Sequence, residues 1–261
     1  MAEASDTVRL VLEAGVATIT LNRPEQLNAL TPEMLLAIPR TLERAVDAGA
    51  RAILITGAGR AFCSGAALGV GAVPGEADLG ELIDTYYNPV ARALDALPVP
   101  SVSLINGAAA GAGASIALGA DVIVAAQSAY LLLAFANIGL VPDAGATWLV
   151  ARAVGRVKAM EMALLGERMG AEEAHRCGLV TRVALDDEAL AVATALAQKL
   201  AAKPAQAMGL IRRQVRGALD LSFQDSLEVE RENQRHAGFT EDYVEAVEAF
   251  KAKRPPRFKG C

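Results

Sequence analysis

The chain has 261 residues, 53% of them hydrophobic, which is enough to bury a sizeable core without help from a disulfide or a metal. A formal net charge of −5 argues against a general affinity for nucleic acid or anionic membranes, which need clustered positive charge. Cys63, Cys177 and Cys261 form no CxxC pair and only two histidines accompany them, so neither a disulfide framework nor a zinc site is indicated and a reducing, cytoplasmic setting is expected.

Residues 8–12 and 16–21 are rich in β-branched and apolar side chains and meet at Ala14-Gly15, which predicts a hairpin. Thr31-Pro32-Glu33 then supplies an N-cap, a proline at the first helical position and an early acid. Leu35, Leu36, Leu42 and Val46 give the helix an apolar face, and Pro39 is a point of bending. The run 52–56 ends at Gly57 and reads as a buried strand; 79–97 reads as a helix with an interruption at Pro89. Pro98 and Pro100 force an extended approach to a strand over 101–105, a small-residue stretch follows from Gly107 to Ser115, and 122–126 is a further strand. Strands and helices alternate to about residue 185, the pattern of an α/β body, and helices dominate thereafter. No stretch is apolar and long enough for a membrane span, and the first ten residues carry acids where a secretory leader carries a basic patch. The basic run from Lys251 to Lys259 reads as a solvated tail.

Familiar signatures fail. Gly111 and Gly113 lack the third glycine of a dinucleotide fingerprint, because Ile116 stands there, and Phe62-Cys63-Ser64-Gly65-Ala66 lacks the first and last glycines of a nucleophile elbow. His175 and His236 fall in predicted helices or helix ends and read as polar-face residues, and no metal-ligand set is present. What remains is a pair of turns built from small residues, 61–68 and 106–113. Close packing explains such turns, and so does an oxyanion site in which two backbone N–H groups converge on a carbonyl oxygen.

Five segments in order resemble the crotonase family of enoyl-CoA hydratases and isomerases. Asn22 to Leu30 is similar to its NRPxxxNAL segment, Arg60 to Ala66 to its AFCAGAD turn, and Pro98 to Ala110 to its KPVIAAVNG stretch. Ile138 to Thr147 resembles its GxxPxxGGT element, and Glu245 to Phe258 its EGxxAFxEKRxPxF ending. The resemblance implies an α/β fold: a crotonase-like spiral of ββα units over residues 1–195 and a C-terminal helical oligomerisation region over 196–261, assembled as a homotrimer or a hexamer. It implies an acyl-CoA substrate whose coenzyme A is part of the substrate, with no separate cofactor. Ala66 and Ala112 match the oxyanion donors; Ala112 departs from the usual glycine, and its donor survives if φ there is negative. Arg23, Gln26, Leu27, Ser64, Ala66 and Leu68 match the coenzyme A contacts, Gly111, Ala112 and Phe135 line the acyl site, and Phe250 and Lys253 are expected to reach the coenzyme A of a neighbouring subunit.

The family's hydratases place two glutamates where this chain has Ser115 and Phe135, and many relatives have aspartate at Ala67. Asp143 compensates. On sequence alone it serves equally as a helix N-cap or as a catalyst; the resemblance to family isomerases that use an aspartate here favours the catalyst. Three readings stay open. One is an isomerase that moves a double bond through a dienolate with Asp143 as proton relay. Another is hydration, thioester hydrolysis or dehalogenation recruiting Glu81, Asp84, Tyr86 or Tyr87. The third is an acyl-CoA binder without catalysis.

Overall fold

The structure is a computed structural model that describes residues 7–67 and 75–260. The hairpin forms as expected from β1 (Val8–Glu13) and β2 (Val16–Leu21), with Ala14 and Gly15 both at positive φ, 49° and 77°, as a two-residue turn requires. Helix α1 (Pro32–Asp47) starts at Thr31, whose hydroxyl accepts the Met34 N–H at 3.3 Å. Its buried face is Met34, Leu35, Ile38, Leu42 and Ala45; Leu36, one helical step from Leu35, turns outward.

Three consecutive units then repeat one plan. The strands β3 (Ala52–Gly57) and β4 (Ala61–Cys63) precede α2 (Leu79–Leu82) and α3 (Asn88–Asp95). After β5 (Ser101–Ile105) and β6 (Ala108–Ala110) comes α4 (Ala112–Leu118); after β7 (Val122–Ala126) and β8 (Tyr130–Leu132) comes α5 (Ala146–Leu165). The first strand of each unit joins a six-stranded sheet and the second a four-stranded one. With β9 (Arg168–Gly170), α6 (Ala171–Arg176) and β10 (Arg182–Ala184), the sheets run β1-β2-β3-β5-β7-β10 and β4-β6-β8-β9. Past the hairpin the larger sheet is parallel, and β3 and β5 are buried along their whole length; both are short uncharged runs, β3 apolar but for Thr56 and β5 alternating Ser101 and Ser103 with apolar residues. The spiral of ββα units implied by the resemblance is therefore present.

The helix expected over 79–97 with an interruption at Pro89 runs from Leu79 to Asp95, and the interruption is a five-residue π-helical stretch from Ile83 to Tyr87, in which the Asn88 N–H reaches back to the Ile83 carbonyl. Pro89 has no N–H to give the ladder, and the ladder widens just before it.

Helix α7 (Ala189–Ala201) buries Ala189, Ala193, Ala197 and Ala201 at four-residue spacing, a smooth stripe that lets it lie against β3, β5 and β7. Position 195 falls inside this helix. Beyond it α8 (Ala205–Gly217), α9 (Phe223–Gly238) and α10 (Glu241–Lys251) complete the helical C-terminal region. Arg212 of α8 is buried, donating to Asp121 at 2.6 Å and to the Leu94 and Leu97 carbonyls that end α3. The basic segment after α10 is mostly exposed, as a solvated tail would be, yet it is also tied down: Asp242 accepts the Lys259 and Gly260 N–H groups, Glu245 takes Arg254 in a two-pronged pair at 2.6 and 2.8 Å, and Arg51 donates to the Phe258 carbonyl. No helix among the described residues is long and apolar enough to cross a membrane.

Candidate active site

Two turns meet at the C-terminal ends of β4 and β6. The segment from Arg23 to Leu30 runs beside the first: Ser64 donates to the Leu27 carbonyl at 3.0 Å, Leu30 to Gly65 at 2.8 Å, and Ala67 to Leu30 at 2.9 Å. This bridge between Leu30 and Ala66 uses the N–H groups of residues 30 and 67 and leaves the Ala66 N–H outside it. Asn28 holds the arrangement from within. Fully buried and left-handed at φ 55°, it donates to the Ala58 and Ala61 carbonyls at 2.9 and 2.8 Å and accepts the Arg23 N–H at 2.8 Å. The structure thus brings Arg23, Gln26, Leu27, Ser64 and Ala66 together, with Gln26 and Ala66 exposed. Leu68 lies outside the described residues.

The second turn enters α4 at Gly111, with φ 53° and ψ −131°, a conformation that only glycine adopts readily. Ala112 is the first helical residue and is absent from the positive-φ positions, so the left-handed demand falls on Gly111 and the alanine is accommodated. As the first residue of a helix its N–H has no intrahelical acceptor. The two turns touch: a side-chain carbon added to Gly65 would lie 2.9 Å from the Ala110 oxygen, and one added to Gly111 would lie 3.8 Å from the Gly65 Cα and 3.9 Å from Phe135 Cζ. Two donors with no acceptor among the described residues, Ala66 N–H and Ala112 N–H, therefore follow a pair of mutually packed glycines, and Phe135 is buried beside them.

Asp143 sits in the loop before α5. Its Oδ1 is buried without a hydrogen-bond partner, and burial pushes the carboxyl up to about 6. Ser115, expected at a vanished glutamate position, is buried in α4 and donates its hydroxyl to the Asp143 carbonyl at 3.1 Å. Tyr87, the last residue of the π-helical stretch, is pushed up to about 12 by burial first and then by its acidic neighbours Asp143 and Cys63, which lie within electrostatic reach of it. Of the four residues expected on this segment, Tyr86 also packs on the core, whereas Glu81 is exposed and Asp84 is exposed and engaged with Asn88 and Arg92. Cys63 is fully buried, its sulfur accepting the Gly65 N–H at 3.4 Å, and burial pushes its thiol up to about 12; it shapes the first turn and is no thiolate. Phe250 is 85% exposed and Lys253 is exposed, so both are uncovered within their own chain. Among the described residues no group of three or more His, Cys, Asp or Glu is placed to hold a metal.

Residues 12–261 match the enoyl-CoA hydratase/isomerase family. The chain belongs to that family, the crotonases. It is 45% identical over 257 residues to the 1,2-epoxyphenylacetyl-CoA isomerase of Escherichia coli K12, covering 95% of this chain and 97% of the relative. It is 44% identical over 254 residues to a probable enoyl-CoA hydratase of Rhodobacter capsulatus, covering 97% and 98%. Among solved structures, a putative enoyl-CoA hydratase from Streptomyces coelicolor superposes with a TM-score of 0.93 at 34% identity, covering 100% of this chain and 96% of that one. A putative enoyl-CoA hydratase/isomerase from Mycobacterium abscessus gives 0.91 at 38%, covering 97% and 100%. The protein is thus an enzyme of the enoyl-CoA hydratase/isomerase family with the crotonase fold, and the names of its relatives span isomerisation and hydration. Ser115 and Phe135, which stand at the two positions where glutamates are expected of a hydratase, are both buried and neither is a carboxylate.

Proposed function

We propose that this enzyme shifts a double bond in an unsaturated acyl-CoA, with Asp143 as the single acid/base and the Ala66 and Ala112 N–H groups as oxyanion donors. The observation that carries the reading is the Asp143 carboxyl: one oxygen buried and unpartnered, with proton affinity raised by burial to about 6, where a group can both take and return a proton near neutral pH. In a 3-enoyl thioester the C2–H bond breaks to Asp143 and its electron pair delocalises onto the thioester oxygen, where the two N–H groups meet the developing charge. As the C1 carbonyl re-forms, C2 and C3 gain the double bond and the C3–C4 π pair takes the proton back at C4. One carboxylate is enough for this traffic. Hydration must also activate a water, and the two positions expected to do so hold a hydroxyl committed to the Asp143 carbonyl and a phenyl ring.

Coenzyme A enters as part of the substrate, over Arg23, Gln26, Leu27 and Ser64. The 45% identity to a protein named 1,2-epoxyphenylacetyl-CoA isomerase supports an aromatic-ring epoxide thioester as a second substrate type for the same oxyanion site. Asp143→Asn preserves size while removing the base. Its turnover of 3-enoyl-CoA is expected to fall about 10²- to 10⁴-fold with thioester binding retained; near-normal turnover would overturn the assignment.

A further inference from the structure

We infer that Ser115 is a positioning residue that sets the Asp143 base against the Ala112 oxyanion donor through a single turn of α4. The inference rests on the isomerase reading above. Ala112 and Ser115 are three residues apart in a helix whose seven residues are all buried, so their separation is fixed by about one helical turn. The N-terminal end of that turn presents the Ala112 N–H. Its other end reaches the Asp143 loop, where the Ser115 hydroxyl donates to the Asp143 carbonyl at 3.1 Å and the Ala146 N–H donates to the same oxygen at 3.0 Å.

Two donors on one carbonyl hold the peptide plane between Asp143 and Ala144, and the backbone on the far side of that plane needs holding. Ala144 is left-handed at φ 49° although it carries a side chain, and Gly145 follows at φ 84°. Consecutive left-handed residues, one of them not glycine, persist only where the surroundings over-determine them. The result of this geometry is the burial of the Asp143 oxygen that accepts no hydrogen bond. Ser115 therefore acts through Asp143, and the small residue at a position where a hydratase would need an acid has a task of its own.

Removing the hydroxyl leaves the carbonyl one donor short and lets the turn relax, which exposes the carboxyl to water and loosens its aim. The titratable group within electrostatic reach of Asp143 is Tyr87 from the π-helical stretch, which has Cys63 of β4 as its other such neighbour. Both are held near 12, so neither contributes a limb in the range where Asp143 titrates, and no ion pair to Asp143 exists among the described residues.

The test compares Ser115→Ala with the wild type on a 3-enoyl-CoA across pH 4.5 to 9, with Asp143→Asn assayed alongside and all three proteins checked for the same folded spectrum at the assay temperature. The expected result for Ser115→Ala is a kcat lower by about 10- to 100-fold, the size of loss a small misplacement of a catalytic group brings, with KM little changed and the acid limb of the profile moved below its wild-type position. A wild-type kcat with an unmoved acid limb, or a loss confined to KM, would overturn the inference. If Asp143→Asn keeps its turnover, the isomerase reading itself falls; if Asp143→Asn is inactive while Ser115→Ala behaves as wild type, only the positioning role falls.

Discussion

Asp143 carries a thermodynamic cost that its proposed role explains. Its folded-state pKa of about 6 lies above the ordinary 3.8, so the folded chain binds this proton more tightly than the unfolded chain does. The resulting stabilisation is complete below about pH 4 and is lost as pH rises through about 6. At pH 8 the native state therefore holds a partly desolvated charge with nothing paired to it. Asp143→Asn is expected to be more stable than the wild type at pH 8 by about 1–2 kcal/mol once partial solvent access is allowed for, and so to melt at a higher temperature, and to show no such gain at pH 4. Wild-type kcat/KM should show its acid limb near pH 6, where an ordinary aspartate would put it near 4. Thermal melts and rate profiles at matched ionic strength check both, and a variant less stable at pH 8 would contradict the account. Asp143 was legible in the sequence as an acid in a recognisable element, but its unpartnered oxygen was not, because burial of one carboxylate oxygen depends on α4 and the preceding loop together. Tyr87 stood out only as one of four polar residues on a segment; the π-helical stretch is what separates it from Asp84, which faces solvent and Arg92.

At the scale of elements, the oxyanion turns depend on how closely β4 and β6 bring their ends together. Gly65 has φ 93° and leaves no room for a side chain beside the Ala110 carbonyl, 2.9 Å away. Gly65→Ala is expected to cost about 1–3 kcal/mol of stability and to lower turnover by about 10²-fold or more, as the loss of one oxyanion donor does. A melt and an isomerase assay on the same preparation read both quantities, and unchanged turnover would remove Ala66 from the site. The larger sheet was legible because its buried parallel strands leave short, uncharged, mostly apolar runs bounded by Gly or Pro, as at 52–57 and, with two small serines, at 101–105. The smaller sheet was not: β4, β6, β8 and β9 have three residues each, too few for any periodicity, and Ala108 to Ala110 reads as a small-residue turn. In the helix over 79–97 the interruption at Pro89 was legible but its form, a π-helical stretch before the proline, was not, because composition records a missing donor without saying how the ladder will adjust.

The whole molecule leaves a face uncovered. Helix α9 has sixteen residues and none is buried, and Val215, Leu219, Phe223, Phe239 and Phe250 are each at least 65% exposed. Helices rarely persist on propensity alone, so a partner surface is expected here. We propose a homotrimer or a dimer of trimers, in which Phe250 and Lys253, exposed in their own chain, reach a neighbour's coenzyme A. Light scattering should give a mass three or six times that of the chain, and a monomer at micromolar concentration would contradict it. The excess of amphipathic helix at the C-terminus points to assembly, but neither the apolar spacing of these helices nor their burial indicates symmetry, which is why the number of subunits was an expectation drawn from resemblance. The most direct test of the central claim is a single comparison on the wild-type enzyme: turnover of a 3-enoyl-CoA to its 2-enoyl isomer against hydration of crotonyl-CoA under the same conditions. Isomerisation should exceed hydration by about 10²-fold or more, since water addition lacks its second acid; hydration at the pace of a typical enzyme, about 10 per second, with slower isomerisation would contradict it.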